Sequence, residues 1–361
     1  MPPLTTEVIT GLPRVWRRGK TTAPDSRPNF LFLDLPTPST ENIPERFKSN
    51  VILQELERTE SQDVPVFGVS GCGKTRSVVE MLCLQWGFYF NASDKDLGSD
   101  DLSYLATSIL VKTRDGLGRK HNTDFARNMT LLLFLSRLMI LNYCLSIPGC
   151  ERTFSSSRWA ILQVCPTMFE DVFMSLFKIL FGRLQEHTIS ELSLTAVVSE
   201  ELLSVRSHLA SLSYPNFTKK SKLRLVVDEA QILGDQGYNL FESSYVESEL
   251  RPLLSPVLHG FRRPGDRGEL TIIYCGTGLS IRTLHWAQSS GDGVKEEGSM
   301  TFPYLEFPGW TSQTSVQSFI DRVKDQLPND ESKNAVDALL PEEAVSALYQ
   351  RLGGRFRPIC T

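Results

Sequence analysis

Apolar and polar positions along this chain switch repeatedly between two periods, and the switching predicts an α/β fold. Short apolar runs at 64–69 (V-P-V-F-G-V), 87–91 (G-F-Y-F-N), 158–164 (R-W-A-I-L-Q-V), 223–228 (L-R-L-V-V-D) and 270–275 (L-T-I-I-Y-C) read as buried strands. A weaker run at 300–307 is broken by Pro303. Helical spacing recurs at 45–60, 75–86, 99–112, 125–145, 168–184, 191–212, 311–326 and 341–352. Strands alternating with helices predict a three-layer parallel sheet covered on both faces, with its ligand at the carboxyl ends of the strands.

The same pattern divides the chain. Residues 1–45, rich in Pro, Thr and Arg, are expected as a flexible N-terminal segment, although 30–35 (F-L-F-L-D-L) reads as a strand or clamp on the main domain. Residues 46–310 form the expected core, and 311–361 a small helical C-terminal part. Roughly 150 residues separate Lys74 from Asp228, more than a bare sheet needs, so helical insertions are expected at about 99–150 and 191–215. The run 289–298, rich in Gly, Ser and charge, reads as a loop. The stretch 129–147 approaches membrane-spanning length, but Arg137 near its centre makes a lone span costly, and a buried helix is expected with no membrane partner.

Composition narrows the classes. Among 361 residues, 41% are hydrophobic and 22% charged, and the formal net charge of −4 gives no overall basic field for nucleic acid. The segment 219–224 (K-K-S-K-L-R) is a local exception, read first as a solvated loop and second as a phosphate contact. Seven scattered cysteines with no C-x-x-C pair argue against a disulfide framework and a zinc site. That fits a reducing compartment, and no signal peptide is visible, so an intracellular location, cytoplasm or nucleus, is expected. Export into a host cell is the alternative. Arg14, Arg17, Arg18 and Lys20 form a loose basic cluster that fits a solvated tail better than a nuclear address.

Chemistry concentrates at 68–76: Gly68-Val69-Ser70-Gly71-Cys72-Gly73-Lys74-Thr75-Arg76, the Walker A spacing of a phosphate-binding loop. Glycines let the backbone fold its N–H groups into a nest for a phosphate, and the following helix points its positive end at the same place. Lys74 supplies a point charge for β- and γ-phosphates, and the Thr75 hydroxyl suits Mg²⁺. The strand 223–228 then runs into Asp228 and Glu229. Asp228 is the expected second Mg²⁺ group, and Glu229 the base for an attacking water. Thr277, just past the 270–275 strand, is the expected polar contact near a γ-phosphate, with Cys275 second. Near the C-terminus, Arg355 and Arg357 flank Phe356 beside two glycines and are expected to stabilise charge on the leaving phosphate. Arg262 and Arg263 are a weaker choice, facing a neighbouring subunit. ATP, or GTP, with Mg²⁺ is the implied substrate pair.

F-G-V-S-G-C-G-K-T-R, W-G-F-Y-F-N-A-S-D, L-V-V-D-E-A-Q and G-G-R-F-R-P together resemble the NTPase module of fungal Crinkler-type proteins, relatives of retrotransposon-hot-spot proteins in the AAA+/STAND group. The resemblance covers about residues 28–358 and implies a P-loop NTPase of an effector, with Gly68–Thr75 on phosphate, Asp228 and Glu229 on Mg²⁺ and hydrolysis, and Arg355 or Arg357 as the arginine contact. Two alternatives stay open: a STAND-like switch that binds nucleotide with little hydrolysis, and a nucleic-acid-stimulated motor. A homo-oligomer or an effector partner is compatible with each.

Overall fold

In the computed structural model of this protein, the described residues are 32–33, 35–36, 50–58, 63–93, 97–113, 118–166, 171–186, 191–212, 217–218, 220–243, 250–265, 268–277, 307, 312–327 and 329–352. In chain order these give α1 (Val51–Arg58), β1 (Asp63–Phe67), α2 (Lys74–Leu84), β2 (Gly87–Asn91), α3 (Asp101–Thr113), α4 (Arg119–Ser146), α5 (Ser156–Val164), α6 (Val172–Glu186) and α7 (Glu191–Ser211). There follow β3 (Leu223–Asp228), the short α8 (Gln231–Gly234), β4 (Phe241–Glu242), β5 (Leu250–Arg251), α9 (Leu254–Arg262), β6 (Leu270–Gly276), α10 (Gln313–Asp325), α11 (Asp330–Leu339) and α12 (Glu342–Leu352).

Four strands form one parallel sheet in the order β1-β6-β3-β2, and β4 and β5 make a separate antiparallel ribbon. The pleat explains why these strands read as continuous apolar runs. Tyr89, Val226, Ile273 and Val64 lie in register across the sheet on one face, and Phe88, Leu225 and Ile272 on the other. The first face packs on α1, α2 and α5; the second on α3, α4, α6, α7 and α9. With both faces covered, the central positions of these strands are apolar on both sides, unlike a strand with one wet face, and polar residues such as Asp63, Asn91, Arg224 and Asp228 fall at or next to the strand ends.

The run 158–164, expected as a strand, is helical. Ser155 caps α5 by accepting the Arg158 N–H, and the buried positions Trp159, Ala160, Gln163 and Val164 follow helical rather than alternating spacing. Its side chains nevertheless complete the sheet. Gln163 Oε1 accepts the Tyr89 N–H at 2.9 Å, while Gln163 Nε2 and Trp159 Nε1 donate to Gly87 O at 3.1 and 2.7 Å. One glutamine thus takes the place of a neighbouring strand's amide and, with Trp159, satisfies the Tyr89 N–H and the Gly87 carbonyl on the outer edge of β2. At Gly87 a Cβ would lie 2.2 Å from Arg224 O, so β2 and β3 approach more closely than any side chain permits.

Helix α4 is long and apolar enough to cross a membrane, with mean hydropathy 1.6 over its best window, yet 67% of that window is buried in the fold. Leu131–Leu135, Leu138 and Leu141 belong to the same hydrophobic cluster as β2, β3 and β6. Arg137 at its centre meets Asp101 of α3, with Nε donating to Oδ2 at 2.8 Å and Nη2 2.7 Å from the same oxygen. Its guanidinium also lies 3.8 Å from the Phe173 ring centre and 4.9 Å from that of Phe90.

The C-terminal helices carry a small core of their own, Val316, Ile320 and Val345, and α11 was not anticipated. Leu33 sits with Val323 and Leu327, while Phe32 and Leu35 pack beside β1 and α2, so part of the expected clamp bridges the two cores. Loop 289–298 lies outside the described residues, as does the run at 300–307 except Phe307.

Candidate functional site

The carboxyl ends of β1, β3 and β6 bring together side chains that are far apart in the chain. β1 ends at Phe67, and α2 begins at Lys74. Between them Gly71 (φ 80°) and Gly73 (φ 102°) take left-handed backbone conformations, which turns the chain from strand to helix within a few residues. Gly68 serves by its size. A Cβ there would lie 2.7 Å from Cys72 Sγ and 3.6 Å from Lys74 Cδ. Val69 is exposed, as is Ser70, whereas Cys72 and Lys74 are buried. Arg76 turns along the helix and pairs with Glu80, Nε to Oε1 at 2.6 Å.

Lys74 is 6% exposed, and its ammonium is surrounded by acceptors. Nζ donates to Gly68 O at 2.6 Å, Val69 O at 3.1 Å and Thr277 Oγ1 at 3.1 Å, and lies 3.8 Å from Cys72 Sγ. The Thr277 contact joins residues 203 apart in sequence and exists because β6 lies between β1 and β3. At the carboxyl end of β3, its last residue Asp228 accepts from Thr75 Oγ1 at 3.0 Å and from the backbone N–H of Glu229 at 3.0 Å. Lys74, Thr75, Asp228, Glu229 and Thr277 are thereby gathered at one edge of the sheet.

Two further residues belong to this cluster and were missed by sequence reasoning. Tyr89 of β2 donates its hydroxyl to Asp228 Oδ2 at 2.9 Å. The aromatic run 87–91 signalled an unusual strand, but only the pairing of Tyr89 with Val226 shows that its tip reaches Asp228. Gln231 donates its Nε2 to Glu229 Oε2 in a short hydrogen bond, and its Oε1 accepts the Thr277 N–H at 3.0 Å. A glutamine two positions beyond an acidic pair was the available signal.

Burial and the neighbouring Glu229 carboxylate push the Asp228 carboxyl above its ordinary range, against the pull of the Tyr89, Thr75 and Glu229 N–H hydrogen bonds. Burial likewise pushes Tyr89 and Cys275 well up, and Asp228 adds to both. Cys275 is therefore a buried neutral thiol, while Thr277 beyond it carries the polar contact. All six described cysteines are free thiols.

Other expectations resolve differently. Arg262 does not face outward: its guanidinium pairs with Asp63, Nη2 to Oδ2 at 2.6 Å. Arg224 of the basic run lies at the amino end of β3, away from Asp228 at the carboxyl end, and is held by Gln85 Oε1 and Thr271 Oγ1 at 2.7 and 2.8 Å. Arg355 and Arg357 lie outside the described residues. Among the described residues no group of three or more His, Cys, Asp or Glu side chains is arranged to hold a metal. One carboxylate beside one hydroxyl is a donor set that would need ligand and water oxygens to complete a Mg²⁺ shell.

No protein-family model matches this chain, and no curated protein or solved structure matches it either.

Proposed function

We propose that this chain is a Mg²⁺-dependent P-loop NTPase of three-layer architecture, acting on ATP by default and GTP as the alternative base, in the manner of the NTPase module of Crinkler-type effectors. The observation that carries the reading is the convergence of Lys74 with Thr277 and of Thr75 with Asp228, across 203 and 153 residues respectively. A structural loop would need neither contact. Both follow if strands β1, β6 and β3 present one phosphate site.

The donor set fits the expected ion. Asp228 is buried with hydroxyl and N–H partners, and among the described residues no Lys or Arg offsets it. Thr75 and Asp228 would hold Mg²⁺, which when bound supplies positive charge to the phosphate oxygens. Lys74, now occupied by the Gly68 and Val69 carbonyls, exchanges these acceptors for β- and γ-phosphate oxygens. The loop N–H groups and the α2 N-terminus bind the remaining charge. Glu229 takes the proton of the attacking water, and Thr277 touches the γ-phosphate.

Phosphate release from ATP by the purified chain, with and without Mg²⁺, tests the reading. Lys74→Ala and Glu229→Gln should each lower release by about 100-fold or more, with Glu229→Gln still binding nucleotide. Unchanged release in both variants would contradict it. Tight binding without release in the wild type would leave a nucleotide-held switch.

A further inference from the structure

Gln231 joins two site residues that approach from different strands. Its amide orientation is fixed by chemistry as well as by distance. The Thr277 N–H can only donate, so the amide oxygen must face it, and the NH₂ group is left to donate to Glu229. Thr277 in turn accepts from Lys74 through its hydroxyl. A continuous chain of hydrogen bonds therefore runs Lys74–Thr277–Gln231–Glu229.

The backbone at Glu229 makes this link consequential. Glu229 is the one non-glycine among the described residues with a positive φ, at 53°. Such a conformation persists only where the surroundings hold it. Here its N–H donates to Asp228 Oδ1, the next N–H, of Ala230, donates to Cys275 O at 2.8 Å, and Ile232 N–H donates to Glu229 O at 3.0 Å. The main chain is pinned from both strands, yet the described hydrogen bonds give the Glu229 carboxylate Gln231 as its side-chain partner.

We propose that Gln231 is a positioning residue for hydrolysis: it fixes the Glu229 carboxylate relative to the end of β6, so that the base is aimed only when Thr277 is in place against the phosphate. The proposal rests on the NTPase reading above. In this role Gln231 acts through Glu229, with its amide occupied by Glu229 and the Thr277 N–H.

Steady-state ATP hydrolysis with Mg²⁺ tests it in Gln231→Met, which keeps the length of the side chain and removes both polar ends. The expected result is a kcat lower by about 10- to 100-fold with KM for ATP unchanged within about twofold, since aim is lost and binding is not. In the Glu229→Gln background the same substitution should change residual hydrolysis by less than about twofold, because the group it acts through is already gone. Gln231→Glu keeps an acceptor for the Thr277 N–H but opposes Glu229 with like charge, and should be slower than Gln231→Met. Thermal melts establish that each variant is folded.

A kcat equal to wild type in folded Gln231→Met, a matching rise in KM, or a further full-size loss in the Glu229→Gln background would each overturn the proposal. So would failure of both Gln231 variants to fold, which would assign the residue to stability. Wild-type hydrolysis abolished by Glu229→Gln but untouched by Gln231→Met would sink this inference alone. A wild type without Mg²⁺-dependent release that also fails to bind ATP would sink the underlying reading with it.

Discussion

Asp101, at the start of α3, and Asp228, at the end of β3, are both buried carboxylates, and they are satisfied in opposite ways. Asp101 meets a cation, Arg137, itself fully buried and held between the Phe90 and Phe173 rings. Asp228 meets two hydroxyls and one backbone N–H. Burial raises the carboxyl of each; at Asp101 the Arg137 guanidinium opposes the rise more strongly than nearby Asp171 adds to it, whereas at Asp228 the neighbouring Glu229 adds to it and only hydroxyl and N–H hydrogen bonds oppose it. The first arrangement sets charge against charge and ties α3 to α4. The second leaves negative charge concentrated at the strand ends, beside the Thr75 hydroxyl, where a divalent cation and its phosphate ligand would complete it. The contrast separates a buried charge that serves the fold from one whose cost is tolerated at a site.

Breaking the Asp101 pair should have the largest effect on stability. Arg137→Met leaves Asp101 buried without its cation, and urea unfolding should show a loss of about 3–5 kcal/mol. A loss well under about 1 kcal/mol would mean that the pair is not the tie it resembles. Tyr89→Phe comes next. It removes one hydroxyl donor from Asp228 without opening a cavity, so stability should fall by about 1 kcal/mol. The Mg²⁺ concentration for half-maximal ATP hydrolysis should rise several-fold, because the carboxylate has lost one of the two hydroxyls that hold it. An unchanged Mg²⁺ requirement would detach Tyr89 from the site.

Asp228→Asn should have the smallest effect on stability and sharpens the comparison most. No buried cation is orphaned by it, and an amide can still meet Thr75 and Tyr89, so unfolding free energy should stay within about 1 kcal/mol of wild type. Mg²⁺-dependent hydrolysis should nevertheless be lost. A destabilisation as large as that of Arg137→Met would show that the two aspartates do the same work.

Much of this arrangement was legible in the sequence, for reasons that can be traced to particular residues. Parallel strands buried on both faces are apolar at consecutive central positions, so 225–227 and 272–275 announce their strands. Gly71 and Gly73 mark the turn into α2 because few other residues accept their backbone angles. The segment 158–164 misled for the same reason that makes strands readable: a short apolar run has no period of its own until its neighbours are known. Trp159 and Gln163 are buried because the edge of β2 needs their hydrogen bonds, a long-range demand that local pattern does not carry. Arg262 reads as an arginine facing a neighbouring subunit until Asp63 is seen beside it. Tyr89 and Gln231 act across the sheet, through strand order β1-β6-β3-β2, and strand order is not written in any one segment.

The central claim is that residues 68–75 hold the phosphates of a nucleoside triphosphate with Lys74 as their cation. Calorimetric titration of the full chain with ATP in Mg²⁺ tests it without requiring turnover. The claim predicts saturable one-site binding, weakened about tenfold or more by Lys74→Ala, in a variant that melts like the wild type. Absence of binding to wild type, or equal binding by the folded Lys74→Ala variant, would contradict it.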